Sequence, residues 1–257
     1  MTIQANAINT THQKTQELIA RLTSGSRINK ASDDIAGFAI AQRQTSQING
    51  LYQATKNLGD GISLVQTADS ALEHGSSVLQ RMRELAVQAN NGILNSNDRA
   101  NIQKEVDQLK SEFDSIAENT QFNNQKIFDG SFSANIQVGN SEDGVKIQLS
   151  DLSELIGDID VTTADNAETS VQSLDTALQD ISDTRSDLGA TQNRFESAIN
   201  ELHNASVRHN QSKSAIFDTD FAADLSENEQ NKILSQVQIA MMKKNDHNKT
   251  FLMELFN

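Results

Sequence analysis

The chain has no cysteine and no proline. The first absence excludes disulfides, zinc–thiolate sites and thiol nucleophiles together. The second leaves nothing in 257 residues that must break a helix. Tryptophan is missing, Tyr52 is the single tyrosine, and aromatics make up 4% of the chain. Such a sequence cannot fill a thick round core, but it can fill narrow seams between helices. Hydrophobic residues are 36%, a low share even with the 12 glycines added, against roughly 45–50% in ordinary globular chains. A chain of this balance is expected to bury part of its apolar surface against copies of itself. Positive charge is scarce as well, with 21 Lys and Arg against 35 Asp and Glu and a net charge of −14. No dense basic stripe exists to release phosphate counterions, so nucleic acid is not an expected partner. No segment approaches the ~20 apolar residues of a membrane span. Met1 to Lys14 lacks an apolar signal-peptide stretch, so secretion is expected by a route other than the general one.

What is present in quantity is helical periodicity. Every seventh residue from Leu51 is apolar: Leu51, Leu58, Val65, Leu72, Leu79, Ala86. Three residues after each stands a small or flexible one, Ala54, Gly61, Ala68, Gly75, Met82 and Ala89. A heptad sustained this far describes one helix laid along others in a coiled-coil seam. The small residues are expected to let neighbouring backbones approach closely. Ser32-Asp33-Asp34 offers an N-cap with acids in the first turn. The helix from there to about Asn90 has on the order of 58 residues and ~87 Å.

Helical spacing also runs through Ile8, Leu18, Ile19 and Leu22, until Thr23-Ser24-Gly25-Ser26 breaks it. After the turn Asn90-Asn91-Gly92, Ile102, Val106, Leu109, Phe113 and Ile116 recur at spacings of 4, 3, 4 and 3. The short link makes this helix antiparallel to the one before it. Ile136 and Val138, then Val145, Ile147 and Leu149, alternate with polar residues about the six-residue loop Gly139 to Gly144, a β-hairpin pattern. Asp151 to Asp165 reads as acidic and irregular. Val171, Leu174, Leu178, Ile181, Leu188, Phe195, Ile199 and Leu202 resume a seam broken by Arg185 and Gln192, and a last stretch, Asp220 to Phe256, carries Leu225, Ile233, Leu234, Val237, Met241, Leu252 and Leu255. The expected fold is mostly α: a long antiparallel coiled-coil-like bundle with paired terminal helices and a small β-hairpin region.

Catalytic patterns are missing. The histidines, His12, His74, His203, His209 and His247, make no metal-ligand spacing, and there is no P-loop, GxGxxG or GxSxG. No cofactor, metal or enzymatic activity is expected.

Several blocks resemble bacterial flagellin. They are Arg21 to Asn29, Ala31 to Gly37, Asp60 to Ala68, Leu79 to Gln88, Thr120 to Asn123, Phe128-Asp129-Gly130, Leu188 to Phe195, and Asp218 to Ala222, all in the family's order. The resemblance implies an inner tube from residues 1–32 and 218–257, and an outer tube from 33–130 and 166–217. Residues 131–165 would be a hairpin and short connector in place of the variable outer domains. It also implies a structural subunit that self-assembles into the flagellar filament for motility. Its partners would be further copies, an export chaperone, and the filament cap and junction proteins. Leu18, Leu22, Ile233, Leu234, Val237, Met241, Leu252 and Leu255 would serve self-assembly. The resemblance further implies that Arg81, Leu85 and Glu105 are read by Toll-like receptor five; a solvated ion pair flanking a seam leucine is the other reading of those residues. A hook–filament junction protein and a surface adhesin on the same scaffold are the alternative functions.

Overall fold

A computed structural model describes residues 2–139 and 144–255. The chain is mostly helical: α1 (Thr2–Ser24), α2 (Ile35–Ala89), α3 (Ser96–Asn119), α4 (Ala164–Phe217) and α5 (Phe221–Leu255). Two antiparallel hairpins accompany them, β1 (Gln121–Phe122) with β2 (Gln125–Lys126) and β3 (Ser133–Ile136) with β4 (Val145–Gln148). These elements pack as two units, residues 50–205 and residues 1–49 with 206–257.

In the central unit the heptad of α2 is the core. Leu58, Val65, Leu72, Leu79 and Ala86 are buried, as are Ala54, Ala68, Met82 and Ala89, while Leu51 is half-buried. Leu64, Val78 and Leu85 are buried as well. The stripe is therefore wider than a two-helix seam needs, because α2 has two helical partners. Arg81 meets Glu105 and His74 approaches Glu112, which sets α3 antiparallel to α2. Arg185 bonds Asp69 at 2.7 Å and Arg83 pairs with Asp175, which sets α4 antiparallel along another side. Arg185 thus interrupts the α4 seam by reaching out from between the buried Ile181 and Leu188.

The glycines of α2 have a different role from the one expected. What approaches them is a ring, not a neighbouring backbone. A Cβ on Gly61 would stand 3.0 Å from the Phe195 ring, and one on Gly75 would stand 3.2 Å from the Phe113 ring. Both rings are fully buried. The loss of roughly 1 kcal/mol of helix propensity at each glycine is offset by seating an aromatic side chain.

The helix ends correct the expected caps. Asp34 caps α2, its Oδ1 accepting from Gly37 N at 2.8 Å, while Asp33 Oδ2 accepts from Asn29 and Lys30. The acids thus precede the first turn rather than lying in it. Asn95 and Asp98 form a reciprocal capping box at α3. Arg99 closes the C-terminus of α2 by donating to the carbonyls of Ala89, Asn91 and Leu94 at 2.8, 3.0 and 2.9 Å. Those carbonyls have no helical partner, and a guanidinium is well matched to the negative end of the dipole.

After α3 the chain makes a tight hairpin whose turn residues, Asn123 and Asn124, have φ of 50° and 62°. Left-handed φ at both central positions is what a type I′ two-residue hairpin turn demands, and asparagine tolerates it best after glycine. The second hairpin pairs Ser133 with Gln148 through Ile136 with Val145. Val138 therefore lies beyond the ladder, and the expected loop includes residues 140–143, which are outside the described residues. The acidic connector is irregular, as expected, yet Leu149, Leu152, Ile156, Ile159 and Val161 are buried in the common core. A chain poor in aromatics uses this segment to cover one flank of its bundle.

Several carboxylates are tuned by local bonds. Hydrogen bonding to Arg83 holds Asp175 below the usual carboxylate range, and the Thr162 hydroxyl and amide do the same for Asp160. A carboxylate whose pKa is lower in the folded state stabilises the fold above its unfolded pKa of about 4, and this contribution is lost as pH falls through the lowered value. The thermal midpoint of the central unit should be flat across neutral pH and fall below about pH 4. A midpoint independent of pH down to about pH 2 would contradict this assignment.

Candidate functional site

Within the terminal unit, α1 and α5 pair antiparallel. Thr11 Oγ1 bonds Gln238 Oε1 at 3.3 Å, Phe221 lies against Gly25, and Ser26 bridges Asp218. Gly25, at φ 70°, ends α1, and the chain beyond it is tied to the end of α4 by Arg27 N on Phe217 O at 2.7 Å. Asp220 caps α5 through the amides of Ala222 and Ala223.

The buried seam of this pair is polar. On α5 the least exposed positions are Asp224, Asn228, Asn231, Ser235, Gln238, Met242 and Asn245, spaced 4, 3, 4, 3, 4 and 3. Asn228 and Asn231 are 6% and 7% exposed, and Asn228 Oδ1 and Asn231 Nδ2 have no hydrogen-bond partner among the described residues. Thr11 and Leu18 are buried on α1, with Thr15 and Leu22 half-buried. Unpaired buried amides disfavour the pair, since each loses water without compensation.

The apolar side chains of α5 lie elsewhere. Ile233, Leu234, Val237 and Met241 are 60%, 51%, 49% and 63% exposed. At 100° per residue they form one stripe, centred roughly a third of a turn from the polar seam. Leu18 and Leu22 are thus brought into the α1–α5 pair, whereas these four are not. The side chains of Leu252 and Leu255 lie outside the described residues. An apolar stripe that the chain itself leaves open is the mark of a surface meant for a neighbour. The sequence shows this stripe but not its orientation; the signal that was missed is the polar heptad Asn228, Asn231, Ser235, Gln238, which marks the inward face.

A second set of residues lies on the central unit. Arg81 Nη2 donates to Glu105 Oε1 at 2.9 Å, and Nη1 donates to Glu84 Oε2 at 3.0 Å. Glu105, and then Glu84, hold the guanidinium more firmly protonated than usual. All three side chains are open to solvent. Leu85, four residues on from Arg81, is 3% exposed and belongs to the core. The structure therefore unites Arg81 and Glu105 and puts Leu85 beneath them rather than beside them.

Among the described residues no cluster of His, Asp and Glu could hold a metal ion, and no helix is long and apolar enough to cross a membrane.

Residues 1–133 match the family model for the bacterial flagellin N-terminal helical region, and residues 171–256 that for the bacterial flagellin C-terminal helical region. Flagellin of Halalkalibacterium halodurans is 39% identical over 234 residues, covering 88% of this chain and 86% of that protein. Flagellin of Bacillus subtilis is 34% identical over 278 residues, with 92% and 91% covered. Among solved structures, Bacillus cereus flagellin has a TM-score of 0.53 at 34% identity, covering 57% of this chain and 88% of that one. A putative flagellar hook-associated protein from Vibrio parahaemolyticus, at 13% identity, has a TM-score of 0.62 over 72% of this chain and 100% of its own. That likeness is one of fold.

Proposed function

Because this chain belongs to the bacterial flagellin family, and is thus a structural subunit of the extracellular flagellar filament rather than an enzyme, we propose that α1 and α5 build the inner layer of that filament. Residues 1–32 and 218–257 form the inner tube, 33–130 and 166–217 the outer tube, and the hairpin with its connector at 131–165 stands where other members carry outer domains. The observation that carries this reading is the exposed stripe Ile233, Leu234, Val237 and Met241 beside a polar α1–α5 seam. Stacked subunits cover that stripe through head-to-tail contacts that need not close into a ring. Leu18, Leu22, Leu252 and Leu255 are assigned to the same layer. A surface of this kind needs cover during export through the flagellar channel, the task of an export chaperone, with junction proteins and the filament cap as partners at the two ends.

The test is hydrogen exchange on free subunit and on filament. Amides of α1 and α5 should exchange quickly in the free chain, since a seam with orphaned amides opens at low cost, and should become protected on polymerisation. Strong protection at Ile233, Leu234 and Val237 in the free subunit would sink the reading.

We assign the Arg81–Glu105 pair to recognition by Toll-like receptor five. Its support is the exposed guanidinium, held in place by two carboxylates, with Leu85 setting the helix face from below. Arg81→Ala should weaken receptor binding by roughly 1–4 kcal/mol, as an interface anchor. Free subunit should bind and intact filament should not; equal binding by the two would refute the assignment.

A further inference from the structure

The α2–α3 link contains the sequence Asn91-Gly92, exposed and outside any helix. We propose that Asn91 is a self-modification site, at which the chain converts its own asparagine to aspartyl and isoaspartyl forms as it ages. Attack on a side-chain carboxamide by the next backbone nitrogen requires three things, and all are present. The nitrogen must be unhindered and unbonded: Gly92 has no Cβ, nothing stands within 4 Å of where one would be, and no acceptor for its N–H occurs among the described residues. The carboxamide must lie over the following backbone: Asn91 Oδ1 accepts from Ile93 N at 3.2 Å, an Asx turn that folds the side chain back along the chain. The oxygen that gains negative charge must have a donor, and Ile93 N–H is already on it.

The step balances with water alone. The Gly92 nitrogen gives up its proton and bonds to Asn91 Cγ; the bond from Cγ to the side-chain nitrogen breaks and ammonia leaves, closing a five-membered succinimide. Water then opens the ring at either carbonyl. One opening yields an ordinary aspartate, the other a backbone routed through the side chain.

The fold supplies its own control. Asn49-Gly50 is the same dipeptide inside α2. There the Gly50 N–H belongs to the helical hydrogen-bond ladder and the backbone dihedrals turn it away from the Asn49 side chain. Asp129-Gly130 is no rival either, because bonds from Ser131 hold the Asp129 carboxyl ionised, a poor target for a nucleophile. The product has a structural consequence at position 91. The Asn91 carbonyl accepts from Arg99 Nη2 at 3.0 Å and from Leu94 N at 3.1 Å. Lengthening the backbone beneath it disturbs the clasp that Arg99 makes on the end of α2.

Peptide mapping by mass spectrometry of the soluble full-length chain, held for days at mildly alkaline pH, tests the proposal. Aspartyl and isoaspartyl peptides should accumulate at 91, with Asn49 still amidated. In Gly92→Ala the conversion should slow severalfold; the new methyl meets nothing within 4 Å and Gly92 φ is not left-handed, so the variant folds. Conversion at Asn91 no faster than at Asn49, or unaltered by Gly92→Ala, would overturn it.

Discussion

Val237→Asp is expected to leave the free subunit folded and to abolish filament growth. Val237 is 49% exposed on α5 and takes no part in the buried seam with α1, so the charge stays solvated in the free chain. Helix propensity changes by only a few tenths of a kcal/mol between valine and aspartate. In an assembly that covers the stripe, each subunit would instead bury a carboxylate without a partner, at several kcal/mol per copy. Because the contact repeats with every subunit, so does the penalty. Circular dichroism should match the parent, and micrographs after salt-induced polymerisation should show no filaments. Gln236→Glu, also exposed and about 100° around the helix, is the charge control and should polymerise. Filaments of normal length from Val237→Asp would remove the stripe from the assembly surface.

Leu72→Ala should destabilise the central unit by roughly 2–5 kcal/mol, the range for a fully buried leucine whose cavity collapses only in part. Leu72 has no exposed surface and lies between Val65 and Leu79 in the α2 seam. It belongs to a buried cluster that α3, α4 and the connector also supply, through Phe113, Leu174 and Leu152 among others. For a unit of this size the loss corresponds to a fall of roughly 4–20 °C in the thermal midpoint. A midpoint unchanged within error would mean that the heptad register does not describe the core.

Helix by helix, the difference between what could be read and what could not follows the range of the interactions. The seam Leu58, Val65, Leu72, Leu79 was legible because a heptad needs only the spacing of apolar residues. The Asn95–Asp98 capping box and the Asn123-Asn124 turn are equally local, each carried by residues within a few positions of one another. The clasp of Arg99 on Ala89, Asn91 and Leu94 was not legible, since an arginine in a first turn carries no mark of which carbonyls it will find. Nor was the packing of Leu149, Leu152, Ile156, Ile159 and Val161, whose segment has no helical or strand period to advertise it.

The sequence by itself determined that the chain is helical: no proline to break a rod, no cysteine to staple it, and apolar residues enough only for seams. Its motifs also carried the family. The tertiary structure alone decided which side of each helix is spent within the subunit. Leu85 and Arg81 share a helix face in projection, yet one is core and the other solvent, because α3 and α4 together wrap more of α2 than a single partner would. On α5 the polar residues go inward and the apolar ones stay out, the reverse of the usual rule, because α1 presents Thr11 and Thr15 to that helix and, among the described residues, leaves Ile233, Leu234, Val237 and Met241 exposed.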